Sequence, residues 1–165
     1  MPRLTVFGHP VHPSLQAIPA SLLPASTTFD ALARLGIDEE GLSKAAHYTL
    51  VFGLLGAVGA AGTGFLDYYE IKNRPVRRIA LYHGITNTTL VGSYVLSLRR
   101  RKGYKADGSA LALSALGAAL IGLPGYLGGE LVYEHGVRVG ETTTAYQGRP
   151  RREHQAMRKE MSTKC

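Results

Sequence analysis

His9 and His12 stand two residues apart on a segment that Pro10 and Pro13 stiffen. Neutral imidazole is the commonest protein ligand for transition metals. A third imidazole and a carboxylate from another part of the chain would complete a first-row metal site. Two imidazoles that face each other could instead hold a b-type haem, a group that four-helix bundles commonly host. His83 and His135 are the candidates to join His9 and His12. Asp67, Asn87, Glu130, Tyr133 and Glu134 are the candidates to support them by fixing ring orientation through the other nitrogen. A plainer chemistry competes, in which His83 bonds Asp67 across a short link and holds two helices as a hairpin with no ligand. No P-loop, GxSxG, HExxH, CxxC or GxGxxG arrangement occurs, so no catalytic residue is assigned and an enzyme is not the favoured class.

These side chains need elements to carry them, and the distribution of charge supplies the elements. Mean hydropathy is −0.02, an average typical of a soluble protein. The charges, however, are bunched. Residues 45–66, 79–98 and 109–129 contain no Asp, Glu, Lys or Arg, and each run is close to the roughly 20 residues that cross hydrocarbon. A first helix over about 13–34 is interrupted by Pro19 and Pro24 and is expected to be kinked, which membrane helices tolerate because neighbours satisfy the freed carbonyls. Helices are expected over about 44–67, capped by Ser43, and over about 77–99 and 108–133. Gly53, Gly56, Gly59 and Gly62 recur every three residues; in water each would weaken a helix, whereas in lipid they let a neighbour approach closely.

Four spans with short connections make an all-α, polytopic, up-and-down transmembrane bundle over residues 1–140, followed by a basic tail over 141–165. In that topology the N-terminus, the link between the second and third helices and the C-terminus share one side. His9, His12, Asp67, Glu70, His83, Glu130, Glu134 and His135 gather there, with His47 at the opposite side. Ionisable groups inside a membrane cost about 2.5–3.5 kcal/mol at the centre, which marks them as functional candidates.

Net charge is +7, but the cations flank apolar runs, as in Arg99-Arg100-Arg101-Lys102, so lipid headgroups and not nucleic acid are the expected partner. The lone Cys165 excludes an internal disulfide, and the N-terminus has no pattern of a cleavable signal. Lys and Arg are balanced between the two ends, so the positive-inside rule assigns no orientation.

His9-Pro10-x-His12-Pro13, Gly64-Phe65-Leu66-Asp67, the His83/Asn87 pair and the stretch from Gly128 to Val137, GGELVYEHGV, together resemble the DUF2231 family of small bacterial membrane proteins of unknown function. The resemblance covers roughly residues 9–140 and implies a multi-pass protein of the bacterial inner membrane. Members joined to cytochrome c or Rieske modules imply a redox neighbourhood by association; this chain carries neither module. The expected functions are therefore a redox-associated membrane protein holding haem b or a metal, or an accessory subunit docking onto a larger membrane complex or onto its own copies.

Overall fold

A computed structural model describes residues 5–7 and 9–138. The expected tail over 141–165 lies outside the described residues. The chain opens with a two-residue hairpin, β1 (Thr5–Val6) against β2 (His9–Pro10), and passes directly into α1 (Val11–Arg34). Three further helices follow: α2 (Glu39–Glu70), α3 (Arg74–Arg100) and α4 (Gly108–Glu134).

Local chemistry sets the boundaries. Asp38 caps α2, accepting from the Gly41 amide at 3.3 Å, and Glu39 and Glu40 then sit in the first turn, where the helix dipole favours acids. The acidic stretch expected to be a connection is therefore the start of α2, and Ser43, expected as its cap, is buried inside it. Asn73 and Asp107 cap α3 and α4, accepting from Val76 and Ala110. Ser109 and Ala110 both donate to the exposed Asp107 carboxylate and hold it below the ordinary carboxylate range.

α1 runs as a single helix through Pro19 and Pro24. α4 is interrupted at Ile121, resumes over Gly122–Gly129 and finishes as a π-turn over Glu130–Glu134. Pro124 lies three residues beyond the interruption, and its ring cannot donate the backbone bond that would bridge it.

The helices alternate in direction. Going along α1, Leu15, Ile18 and Leu23 face Gly59, Gly56 and Gly53 of α2 in reverse order. Ser97 donates to the Ala110 carbonyl and Tyr94 lies on Gly117, so α3 and α4 are antiparallel too. α1 also touches α4, and α2 touches α3, which closes the ring of an up-and-down bundle. Buried positions on α1 (19, 23, 26, 30, 33) and α2 (43, 46, 50, 53, 57, 60) alternate three- and four-residue steps, the spacing of a seam between helices at a small crossing angle.

The glycine stripe of α2 is used unevenly. A methyl built on Gly53 would lie 2.7 Å from Leu23 and one on Gly56 2.5 Å from Ile18, while Gly62 faces open space. The centre is polar as well as apolar: Tyr94, fully buried with Leu23 and Leu50, meets the Thr27 hydroxyl at 3.2 Å, and Thr27 also donates to the Ser114 carbonyl.

Large apolar side chains point outward along three helices. Phe52, Leu55, Val58 and Phe65 of α2, Leu81, Ile85 and Leu96 of α3, and Leu116 and Leu123 of α4 are all exposed. α2 and α4 are each long and apolar enough to cross a membrane, and only 22% of each apolar window is covered by the rest of the protein. A soluble core helix of that composition would be covered, so these two are candidate spans turned toward lipid. α1, with 24 residues, and α3, with 27, reach about 36 and 40 Å but carry more polar side chains, and the four-span expectation is met in full only by α2 and α4.

Candidate functional site at the histidine end of the bundle

His12 occupies the first turn of α1, and its ring crosses to α2. Nδ1 lies 2.8 Å from the Ala60 carbonyl and 3.4 Å from the Thr63 hydroxyl. A carbonyl only accepts, so Nδ1 carries a proton and donates it. Gly64 makes this crossing possible, because a β-carbon there would lie 2.7 Å from His12 Cε1.

His83 repeats the arrangement between α3 and α4. Its Nδ1 donates to the Pro124 carbonyl at 3.0 Å, and Gly128 supplies the space, since a β-carbon there would come within 3.0 Å of Cε1. One turn along α3, Asn87 donates its side-chain amide to His83 Nε2 at 3.1 Å and to the His83 carbonyl at 3.0 Å. Both histidines thus donate from Nδ1, each tied to the backbone of a facing helix beside a glycine.

The other expected members separate from this pair. His9 is exposed on β2, and Tyr133 and Glu134 are exposed on the π-turn. Glu130 and His135 are half-buried at the two ends of that turn, where the His135 amide donates to the Glu130 carbonyl at 3.2 Å. Among the described residues no three His, Cys, Asp or Glu side chains gather closely enough to hold a metal ion.

Asp67 departs from expectation: among the described residues its ionic partner is a cation and not His83. Its carboxylate pairs with Arg138 at 2.7 Å, and the same guanidinium reaches Glu70 at 2.7 Å. The cause is local. After the π-turn, Gly136 and Arg138 take positive φ (61° and 63°) and bring the guanidinium to the end of α2, where it meets both carboxylates. Ile71, Val76 and Leu131 form a small apolar cluster beneath this clamp, with Val137 packed on it.

The most deeply buried charges lie at the other end, where sequence reasoning placed no site. Asp30 and Arg101, with side chains 2% and 1% exposed, form a bidentate pair, Nη1 to Oδ1 at 3.1 Å and Nη2 to Oδ2. Arg101 also donates to the Tyr104 carbonyl at 3.1 Å, and His47 packs edge-on against the Tyr104 ring. Asp30 follows Pro19, Leu23 and Ser26 at the seam spacing of α1, and that register was the signal: a carboxylate on a buried seam requires a cation.

No curated protein and no solved structure matches the chain. One family model does, that of the predicted membrane proteins DUF2231, across residues 8–141. That span takes in β2, all four helices, both glycine-seated histidines and the Arg138 clamp, and the chain belongs to the DUF2231 family of predicted membrane proteins.

Proposed function

We propose that this protein is a four-span module of the bacterial inner membrane that works as a non-catalytic subunit, its two described ends on one side. The single observation carrying this reading is the inversion of the bundle: large apolar side chains face outward while Ser26, Ser97, Ser114, Asp30 and Arg101 are buried inside. Dispersion and interior hydrogen bonds then hold helices that the hydrophobic effect does not hold together in lipid. α1 and α3 cross as well, with Ser26 and Asp30 of α1 and Ser93 and Ser97 of α3 turned inward. Ser21, Ser26, Thr27 and Thr28 of α1 and Thr86, Thr88, Thr89 and Ser93 of α3 donate their hydroxyls to carbonyls of their own helix, which lowers the cost of polar residues at membrane depth. Alkaline carbonate extraction tests the membrane reading, and native-gel migration in mild detergent tests the subunit reading. Retention in the membrane pellet and co-migration with other membrane proteins or further copies are expected. Release into the supernatant refutes the first, and a lone monomer the second.

A second reading, a redox-associated protein holding haem b or a metal, is favoured by one observation. His12 and His83 both spend Nδ1 on a backbone carbonyl, the orientation in which ligating histidines present Nε2. The fit is partial, because Asn87 already engages His83 Nε2 and no third ligand stands beside the pair among the described residues. Such a group would supply one-electron transfer near one membrane face. A reduced-minus-oxidised spectrum and metal analysis of the purified protein decide it, and a colourless, metal-free, folded sample removes it.

A further inference from the structure

We infer that the cleft between the start of α2 and the α3–α4 link binds the phosphate of an anionic phospholipid; this rests on the membrane reading above. The link is a tight hairpin in which Lys102 and Lys105 exchange backbone hydrogen bonds at 3.1 and 3.3 Å around Gly103, whose φ is +63°. Residues directly opposed in such a bridge project from the same face, and like charges so placed repel. Lys44 of α2 joins them, and the three lysines line a cleft of about 320 Å³ with Ser43, Tyr104 and Glu40.

Carboxylates answer two of these charges, Glu40 on Lys44 at 2.6 Å and Glu39 on Lys105 at 2.8 Å. Lys102 makes no ion pair among the described residues. An anion is the ligand that relieves this surplus. The surroundings indicate that it belongs to a lipid. Tyr48 and Tyr104 meet through their hydroxyls at 3.4 Å beside the cleft, as aromatic side chains do at headgroup depth. Tyr48, Phe52 and Leu55 then follow at helical i, i+4, i+7 spacing, exposed by 50%, 59% and 61%, an exposed apolar track leading from the cleft along α2. A phosphate in the cleft and an acyl chain on that track are one molecule. A basic pocket between spanning helices is a recurrent headgroup site.

Thermal unfolding of the full chain in neutral detergent, with added phosphatidylglycerol, phosphatidylcholine or inorganic phosphate, tests this. Phosphatidylglycerol should raise the midpoint more than either of the others, with roughly a fivefold preference per unneutralised lysine. The combined variant Lys44→Gln, Lys102→Gln, Lys105→Gln should lose that preference. The matching triple Arg variant should keep it, as should Arg77→Gln with Arg78→Gln at the opposite end. Equal responses to both lipids, an equal response to inorganic phosphate, or an undiminished preference in the Gln variant would overturn the assignment. Carbonate extraction of the unmodified protein separates the two levels. Release from the membrane sinks the membrane reading, whereas retention without lipid discrimination sinks only the headgroup site.

Discussion

Neutralising one member of the Asp30–Arg101 pair tests the buried interior most sharply. Both side chains are almost wholly enclosed, the guanidinium meets both carboxylate oxygens, and Arg101 is further held by the Tyr104 carbonyl. The pair ties the last turns of α1 to the link between α3 and α4, elements 71 residues apart in sequence. Removing one partner leaves an uncompensated buried charge, which costs about 3–5 kcal/mol. At about 1.4 kcal/mol per decade, Asp30→Asn or Arg101→Met should shift the folding equilibrium by roughly two to three and a half orders of magnitude. The double variant Asp30→Leu, Arg101→Met removes both charges and keeps volume, so it should recover most of the loss, since apolar replacement of a buried pair is often neutral or stabilising. Unfolding in mixed micelles, followed by helicity, measures all three. Single variants that lose less than about 1 kcal/mol, or a double variant as damaged as the worse single, would refute the argument that this charge is enclosed and mutually compensated.

Glycines give a second contrast. Gly117→Ala should destabilise by about 1–3 kcal/mol in the same assay, because the new methyl would meet Tyr94 Cε2 at 2.6 Å and Ser93 Oγ at 2.5 Å, whereas Gly62→Ala and Gly92→Ala face open space and should stay within about 0.5 kcal/mol. Gly64→Ala should displace the His12 ring and break its bond to Ala60, seen as a changed imidazole nitrogen shift by NMR, while His83 keeps its own. Arg138→Ala should free the chain after the π-turn, raising amide exchange of Val137 and Gly136 without affecting Ala110. For Asp107 the folded carboxylate lies below its ordinary value of 3.8, so its contribution is complete above that value and is lost as pH falls through the depressed one. Asp107→Asn, which can still accept from Ala110, should therefore flatten the acid limb of stability against pH.

The bundle was legible because its signals are long: three uncharged runs, and a small-residue stripe that makes sense only where helices approach closely. Its topology followed, and with it the placing of His12 and His83 at one end, where the structure seats them against Gly64 and Gly128. The chemistry there was less legible. Sequence spacing shows that His83 and Asn87 share a helix face, but whether a ring nitrogen meets a ligand, a carboxylate or a backbone carbonyl depends on ångström-scale approach of another helix. The absent side chains of Gly64 and Gly128 decided that in favour of carbonyls. The Asp67–Arg138 pair is not legible in the sequence, because it depends on a left-handed turn that residue pattern does not announce. Arg101 was hidden among four consecutive cations, of which it alone is drawn inward by Asp30. The start of α2 was placed late because Glu39 and Glu40 resemble a solvated connection and a first helical turn equally well.

Cysteine accessibility is the most direct measurement of the membrane bundle. In a Cys165→Ser background, His9→Cys and Lys72→Cys should react with an impermeant maleimide from one side of sealed vesicles. Ile37→Cys and Arg100→Cys should react only from the other. Four probes that all react from the same side would contradict a chain that crosses the membrane with each helix.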